Sequence, residues 1–368
     1  MSEPDSPAAS ARFERILIVR LSSMGDVVHA LPAAAMLRAA FPQAHIGWLI
    51  EERWAELLCA VSAARTGPVS AHRPLVNAIH SVNLKQWRKS LVSNLTWERM
   101  GAGLSDLRAQ RYEVAVDLQG AARSAILARW SGAPAIFGAI RPRENLASMW
   151  YTRRVLTERR HVVEQYAEIA SAVTGRSEAV ADAVFPCDPA AEEAVGRRLA
   201  ELGVRDFVVL NPGAGWGAKQ WPAERYGELA KALAGRGVSS ILNFGPREEE
   251  LARVAEKASG GTGRALSFSV GELIVLIRRA RLFIGGDTGP LHLAAALHVP
   301  VVALYGPTDP VRTGPFRTRS IVLRHPASRT SLSHRSEPDP GLLAIAPEQV
   351  LAAAHQLLEG WPEEAARG

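Results

Sequence analysis

The chain has 368 residues, of which 47% are apolar and 22% charged, with a formal net charge of +6 and a pI near 9.7. A hydrophobic core stops growing at roughly 250–300 residues, so two domains are expected. The composition excludes general disorder and collagen-like or coiled-coil chains.

Residues 1–15, MSEPDSPAASARFER, carry acidic, Pro and Ser residues where a signal peptide has a basic start and an apolar run. A floppy leader over 1–14 and a cytoplasmic chain are expected. Residues 15–20 (RILIVR) predict a buried strand, followed by the turn at 22–26 and a helix over 27–40. Residues 46–50 predict a second strand, 114–118 another, and a helix follows Gly120. That β-α-β order predicts a parallel sheet with covering helices over 15–183.

The Ala- and Pro-rich stretch 181–189 marks the expected linker. The plan then repeats: strand 207–210, Gly-rich turn 211–217, helix 223–234, strand 240–244 and helices near 248–257 and 271–279. Strand 282–284, helix 291–297 and strand 301–304 follow. The fold class predicted is α/β, two Rossmann-like domains with parallel sheets, the second over 184–345. Residues 318–342 are polar and predict a surface excursion. A last helix over 347–359 puts Val350, Leu351, Ala354, Leu357 and Leu358 on one face.

The longest apolar stretch, residues 291–305, carries His292, His298 and Pro300 and falls short of the roughly 20 residues that span a bilayer. Cys59 and Cys187 are isolated, with no disulfide or zinc spacing, which fits a reducing compartment. HExxH, GxSxG and clustered Cys/His patterns are absent. Basic residues crowd 85–89 and 141–160, a charge pattern that suits nucleic acid, anionic lipid or a phosphorylated ligand alike.

Ligands of open parallel sheets bind outside the carboxyl ends of strands, so the turns there are the candidate sites. The first, Ser22 to Asp26, offers a carboxylate and two hydroxyls at a helix start. Asp26 is either an N-cap or a general base at a cleft mouth, and His29 shares its helix face. The second, NPGAGWGAKQWP over 211–222, has glycines at 213, 215 and 217 that admit an anion to backbone amides, and Lys219 adds a point charge. It also fits GxGxxA, a dinucleotide pattern, but lacks the acidic residue that would hold a ribose, since the next strand ends in Asn243-Phe244-Gly245. The third, over 285–292, places Thr288 and Gly289 ahead of Pro290, with Asp287 and His292 beside them. Two Gly-rich strand-to-helix turns in one domain suggest a pyrophosphate held between them. Lys85, Trp87, Arg88, Lys89 and Arg123 lie in the other half and suggest an acidic acceptor; Trp87 and Trp97 could touch a bilayer surface.

Three ordered segments, ILIVRLSSMGDVVHALPAA, NPGAGWGAKQWPAERYGELA and FIGGDTGPLHLAAALHVPVVALYGPTDP, resemble the ADP-heptose:lipopolysaccharide heptosyltransferases of glycosyltransferase family nine. SSMGDVVH and the WRK run at 87–89 resemble the heptosyltransferase I branch in particular. The resemblance implies a GT-B fold, two Rossmann-like domains facing a cleft, with the C-terminal segment 346–368 packing back towards the first domain. It implies inverting transfer of heptose from ADP-heptose to Kdo-lipid A, with neither a catalytic metal nor a cofactor, by a monomer that binds no nucleic acid and works at the inner face of the cytoplasmic membrane. Asp26 matches the family's base. Lys219, Thr288 and Gly289 match the diphosphate site, with Gly213, Ala214 and Gly215 contributing amides. Asp287 and His292 match residues near the donor sugar, Glu248 the ribose and Phe268 the adenine side. Arg88, Lys89 and Arg123, with Ser22 and Ser23, would face the acceptor. Residues 324–342 match no part of the family pattern. Two other readings stand beside this one: a different GT-B sugar-nucleotide transferase or epimerase of cell-surface polysaccharide synthesis, and a non-catalytic or nicotinamide-binding Rossmann protein.

Overall fold

The strands that open each half carry continuous apolar runs, Ile16 to Val19 and Phe207 to Leu210, as strands covered on both faces of a parallel sheet do. The computed structural model describes residues 13–83, 101, 103, 105–331, 333 and 335–359. The chain divides into two compact units, Met1–Cys187 and Asp188–Gly368, a division that falls inside the Ala- and Pro-rich stretch 181–189.

The first unit contains β1 (Arg15–Val19), α1 (Met24–Ala40), β2 (His45–Glu51), β3 (Ala78–Val82), β4 (Val114–Asp117), α2 (Ala122–Trp130), β5 (Ala135–Ala139), β6 (Arg153–Val155) and α3 (Val162–Thr174). Short 3₁₀ turns cover Glu52–Leu57 and Asn145–Trp150. Its six strands pair in parallel in the order β3-β2-β1-β4-β5-β6. Ile16, Leu17, Ile18 and Val19 are fully buried, and α1 packs beside α3.

The second unit runs α4 (Pro189–Glu201), β7 (Phe207–Asn211), α5 (Ala223–Ala234), β8 (Ser239–Phe244), α6 (Glu249–Ala258), β9 (Gly263–Ser267), α7 (Val270–Arg279), β10 (Leu282–Gly286), α8 (Gly289–Ala296), β11 (Val301–Tyr305), α9 (Pro310–Thr313), β12 (Ser320–Arg324), α10 (Pro340–Leu343) and α11 (Pro347–Glu359). A 3₁₀ turn spans Gly217–Lys219. Asp188 caps α4 by accepting from the Ala190 and Ala191 amides, and Pro189 takes the first helical position, where its missing N–H costs nothing. The six parallel strands are ordered β12-β11-β10-β7-β8-β9, the same winding as the first unit. In each unit the order reverses between two central strands, β1 and β4 or β7 and β10, and the turns leaving those strands flank the crevice where open α/β sheets bind ligands.

Within the second unit α11 buries Val350, Ala353, Ala354 and Leu357 in the core with Trp221, Leu229 and Leu233. The approach is fixed by the Trp221 indole donating to the Ile345 carbonyl at 3.0 Å and by Arg225, which donates to the Leu343 and Ile345 carbonyls. Residues 360–368, the rest of the expected C-terminal segment, lie outside the described residues. One expectation needs correction: the stretch 318–342 is not merely a surface excursion. It supplies the edge strand β12 and returns through Asp339, 2% exposed, which caps α10 and accepts the Ser328 hydroxyl at 2.5 Å.

Candidate functional site

At the carboxyl end of β1 the chain leaves the sheet through Arg20, whose side chain is 3% exposed. A guanidinium in that position needs partners, because an unpaired buried charge is prohibitively costly. It donates to the Leu118 carbonyl past the end of β4 at 2.9 Å, meets Asp26 Oδ1 at 2.7 Å, and stacks over the Tyr166 ring at 5.5 Å. The other oxygen, Asp26 Oδ2, accepts the Ser23 N–H and the Ser23 hydroxyl, both at 2.9 Å. The Ser22–Ser23 peptide bond is cis.

Ser23 is therefore the N-cap of α1, and Asp26, one turn in, returns a bond to it in the manner of a capping box. Asp26 is thus not the N-cap. It serves the helix start and is also held by Arg20, with its side chain 32% exposed. Burial works against the charged form, but the Arg20 guanidinium, the Ser23 bonds and nearby His29 outweigh it and hold the carboxyl below the usual carboxylate range. His29 is buried, its ring edge-on to that of His161 at 5.9 Å.

Behind this pair lies a carboxylate that the sequence reading did not single out. Asp117, the last residue of β4, is 1% exposed and accepts from the Tyr151 hydroxyl (2.7 Å), the Ser124 hydroxyl (2.9 Å) and the Gln119 and Gly120 amides. Burial raises its pKa against those bonds. The signals were present: Arg20 and Asp117 each follow an apolar run at a strand's carboxyl end, and charged groups at such positions are rarely buried without partners. Arg123 is exposed at the start of α2. The turn before it holds Gly120 at φ 66°, and a Cβ there would press on the Arg143 backbone nitrogen at 3.0 Å. Of the other expected acceptor residues, Ser22 is half-buried and Ser23 exposed beside Asp26, while Arg88 and Lys89, with Lys85, Trp87 and Trp97, lie outside the described residues.

In the second unit the turn after β7 is stitched down by Asn211, which donates to the Gly213 carbonyl at 3.0 Å and accepts from Asn243 at 2.7 Å. Asn243, on the strand where a dinucleotide site would carry an acidic residue, is committed to that bond. The three glycines do different things. A Cβ at Gly213 would overlap the Glu248 carboxylate, and one at Gly217 would overlap the Ser336 carbonyl. Gly215 has open space, and Ala214 is half-buried beside it. So the room left beside the Cα atoms of 213 and 217 is filled by the protein's own groups, and of the three glycines Gly215 faces open space. Glu248 also accepts the Gly245 amide at 2.8 Å, and its burial raises its pKa.

Lys219 leaves this loop with its side chain 11% exposed, and Nζ meets Asp287 Oδ2 at 2.5 Å. It also donates to the Asp287 carbonyl at 3.3 Å and lies over the Trp216 ring at 4.2 Å. Asp287 Oδ1 pairs with His292 Nε2 at 3.0 Å and accepts the Tyr305 hydroxyl at 3.4 Å. Burial would raise the Asp287 pKa, yet His292 and Lys219 together hold it far below the usual range. The pair sits at the start of α8, where Thr288 is the N-cap, Gly289 the first residue and Pro290 the second. The helix dipole and free amides there favour an anion. Lys219, Asp287, Thr288, Gly289 and His292 are thereby brought together. Phe268 follows β9, two strands away from β7, with the Arg198 guanidinium over its ring at 4.4 Å.

The segment 324–342, which sequence reading left outside the family pattern although the family's model extends through residue 340, closes against this loop. Ala218 N–H donates to the Arg335 carbonyl at 3.0 Å, and Asp339 N–H to the Ala218 carbonyl at 3.3 Å. Residues 335–339 therefore brace the turn that carries Lys219.

The chain is similar to known proteins over most of its length. Residues 102–340 match the model of glycosyltransferase family 9 (heptosyltransferase). The chain is 31% identical over 319 residues to lipopolysaccharide heptosyltransferase 1 of Pseudomonas aeruginosa PAO1, covering 84% of this chain and 83% of that one. Its fold is similar to that of the E. coli heptosyltransferase WaaC solved with ADP, at TM-score 0.74 and 27% identity, covering 93% of this chain and 99% of that one. The same enzyme with ADP-2-deoxy-2-fluoro heptose gives TM-score 0.73 with the same identity and coverage. Two Rossmann-wound sheets with these turns, and similarity over most of the length, place the chain in glycosyltransferase family 9, the heptosyltransferases, with a GT-B fold.

Proposed function

We propose that the protein transfers L-glycero-D-manno-heptose from ADP-heptose to the Kdo region of Kdo-lipid A, with inversion, as a step of lipopolysaccharide inner-core synthesis. The similarity to lipopolysaccharide heptosyltransferase 1 supports the substrates. The observation that carries the reaction type is the state of Asp26: a carboxylate at a strand's carboxyl end, part-exposed, held ionised and fixed in direction by Arg20 and Ser23.

In this reading an acceptor hydroxyl attacks the anomeric carbon, its proton passes to Asp26, and the bond to ADP breaks with its electron pair leaving on the diphosphate. A carboxylate held at low pKa is a weak base, so it takes the proton late, and most of the barrier must fall through stabilisation of the departing diphosphate. Lys219, the amides of Gly289 and the open Gly215 loop, and the α8 dipole are the groups suited to that charge. In this reading the nucleotide displaces part of the Lys219–Asp287 contact, leaving Asp287 and His292 for the sugar. Glu248, its pKa raised by burial, suits a ribose hydroxyl, and Phe268 the base. Arg123, with Arg88 and Lys89, faces the acidic acceptor. The protein acts without a metal or cofactor, as a monomer on the cytoplasmic face of the membrane that holds its acceptor.

ADP release from ADP-heptose, with and without Kdo-lipid A, tests the reading in wild type and Asp26→Asn side by side. Acceptor-dependent release by wild type alone is expected. Equal release without acceptor would remove Kdo-lipid A from the proposal, and preference for a UDP-sugar would replace the donor.

A further inference from the structure

In a 3₁₀ turn, side chains three residues apart share a face. In the turn Asn145–Trp150 this brings Leu146 and Met149 together, and they are 62% and 70% exposed. The inward side is occupied by Ala147, fully buried, and by Trp150, packed against the core with Tyr151. The turn lies along α2, whose last residue, Trp130, is 47% exposed, and the two starts are joined by the Ala122 N–H donating to Glu144 at 2.9 Å. Scattered exposed apolar side chains are ordinary; two large ones on one face, each mostly exposed, beside an exposed tryptophan, are less so.

The surroundings are cationic. Arg141 and Arg143 enter the turn, and Arg153 and Arg154 leave it along β6, the edge strand of the sheet; all four are exposed. Over residues 141–160 six arginines face two glutamates, and one of those, Glu144, is engaged by the α2 amide. A soluble anion would satisfy the arginines and give Leu146 and Met149 nothing. A bilayer interface satisfies both, since apolar side chains enter the acyl boundary while arginines lie at the level of lipid phosphates.

We propose that the face made by the 145–150 turn, Trp130 and the β6 edge docks this enzyme on an anionic lipid bilayer. The inference extends the reading above, in which the acceptor is borne on a lipid. It also has a geometric consequence within the first unit. The loop at 142–143 presses on Gly120 in the turn leaving β4, so the docking face adjoins the carboxyl end of the sheet that carries Asp26.

Full-length protein is sedimented with phosphatidylcholine vesicles and with vesicles that also contain phosphatidylglycerol, using wild type, Leu146→Ser/Met149→Ser and Arg153→Gln/Arg154→Gln. Wild type is expected to prefer the anionic vesicles and to be released by salt, and each variant to lose on the order of tenfold in partitioning. Thermal midpoints are expected to stay at the wild-type value, because the altered side chains are exposed. Turnover of a lipid-free Kdo saccharide is expected to be unchanged in Leu146→Ser/Met149→Ser, which separates docking from transfer. Wild-type partitioning by both variants overturns the proposal. So does a wild-type dimer that Leu146→Ser/Met149→Ser dissociates in sedimentation velocity, which would assign the face to a second copy. Failure of wild type to use any Kdo acceptor would count against the transfer reading and leave the vesicle result to decide docking.

Discussion

Arg20 holds Asp26 at 2.7 Å from one side while its own position is fixed by the Leu118 carbonyl at 2.9 Å, so the orientation of the carboxylate is set by two adjacent strands, β1 and β4. Asp26 is thereby aimed before any substrate arrives, with both oxygens already accepting bonds. The groups around this pair are Tyr166 and Asp117 on the Arg20 side and His29 on the Asp26 side.

Replacing Arg20 removes the cation that keeps Asp26 ionised. A group whose folded pKa is depressed is charged, and competent as a base, only above that pKa, so raising it moves the acidic limb of the profile upward. Arg20→Met is expected to shift the acidic limb of kcat/KM to higher pH, and Arg20→Lys to restore most of the wild-type profile. A loss of rate with the limb unmoved would make Arg20 a packing residue only. Asp26→Asn is expected to lower kcat by roughly 10²–10⁴-fold while leaving ADP affinity near wild type, as calorimetry would show.

Lys219 pairs with Asp287 and, in the proposed reaction, also meets the leaving diphosphate, and the loss of the two roles is separable. Lys219→Met is expected to reduce kcat by about 10²–10³-fold if the ammonium stabilises the leaving diphosphate. It also leaves Asp287, 6% exposed, without its cation, which typically costs about 3–5 kcal/mol for a buried pair. Urea unfolding measures the second effect. Lys219→Met/Asp287→Asn is expected to recover much of the stability and none of the rate.

Asp287 makes stability depend on pH with a definite sign. Its folded pKa lies below its unfolded value, so its contribution is complete above the ordinary carboxylate range of about pH 4 and is lost as pH falls below that. Urea midpoints measured down the acid range should fall more steeply for wild type than for Asp287→Asn.

Gly217 is required by the Ser336 carbonyl packed against it. Gly217→Ala is expected to push residues 335–339 off the loop, with the loss of the Ala218–Arg335 bond, a weaker affinity for ADP and a destabilisation of about 1–3 kcal/mol. Gly215→Ala, where the space is open, is expected to be close to neutral for stability. Thermal melts with and without ADP distinguish the two.

Much of this was legible because the determinants are local. The strands 207–211 and 301–305, the helix Ala223–Ala234 and the turns at 22–26, 213–219 and 287–292 are written in apolar runs and Gly, Pro and Ser spacing. Arg20 and Asp117 escaped notice because what holds them in place is distant in sequence, the Leu118 carbonyl for Arg20 and the buried Tyr151 for Asp117, and spacing carries no record of such pairs. The short strands β5 and β6 were missed for the same reason: AIFGA and RRV are strands only because a neighbour pairs with them. The roles of Gly213 and Gly217 could not be read either, since a glycine reports that something approaches closely and not whether it is a ligand, Glu248 or Ser336.

The last helix settles in the same unit as the strands before it, and its consequence reaches back to the making of the protein. The boundary between Cys187 and Asp188 cuts the chain once, so every strand of the first sheet has left the ribosome before synthesis of the second begins. The N-terminal sheet draws its described strands from its own unit and can pair them while the remainder is still being translated. Mutations that weaken the first sheet would then act during synthesis, on a nascent half-protein, as well as on the finished enzyme.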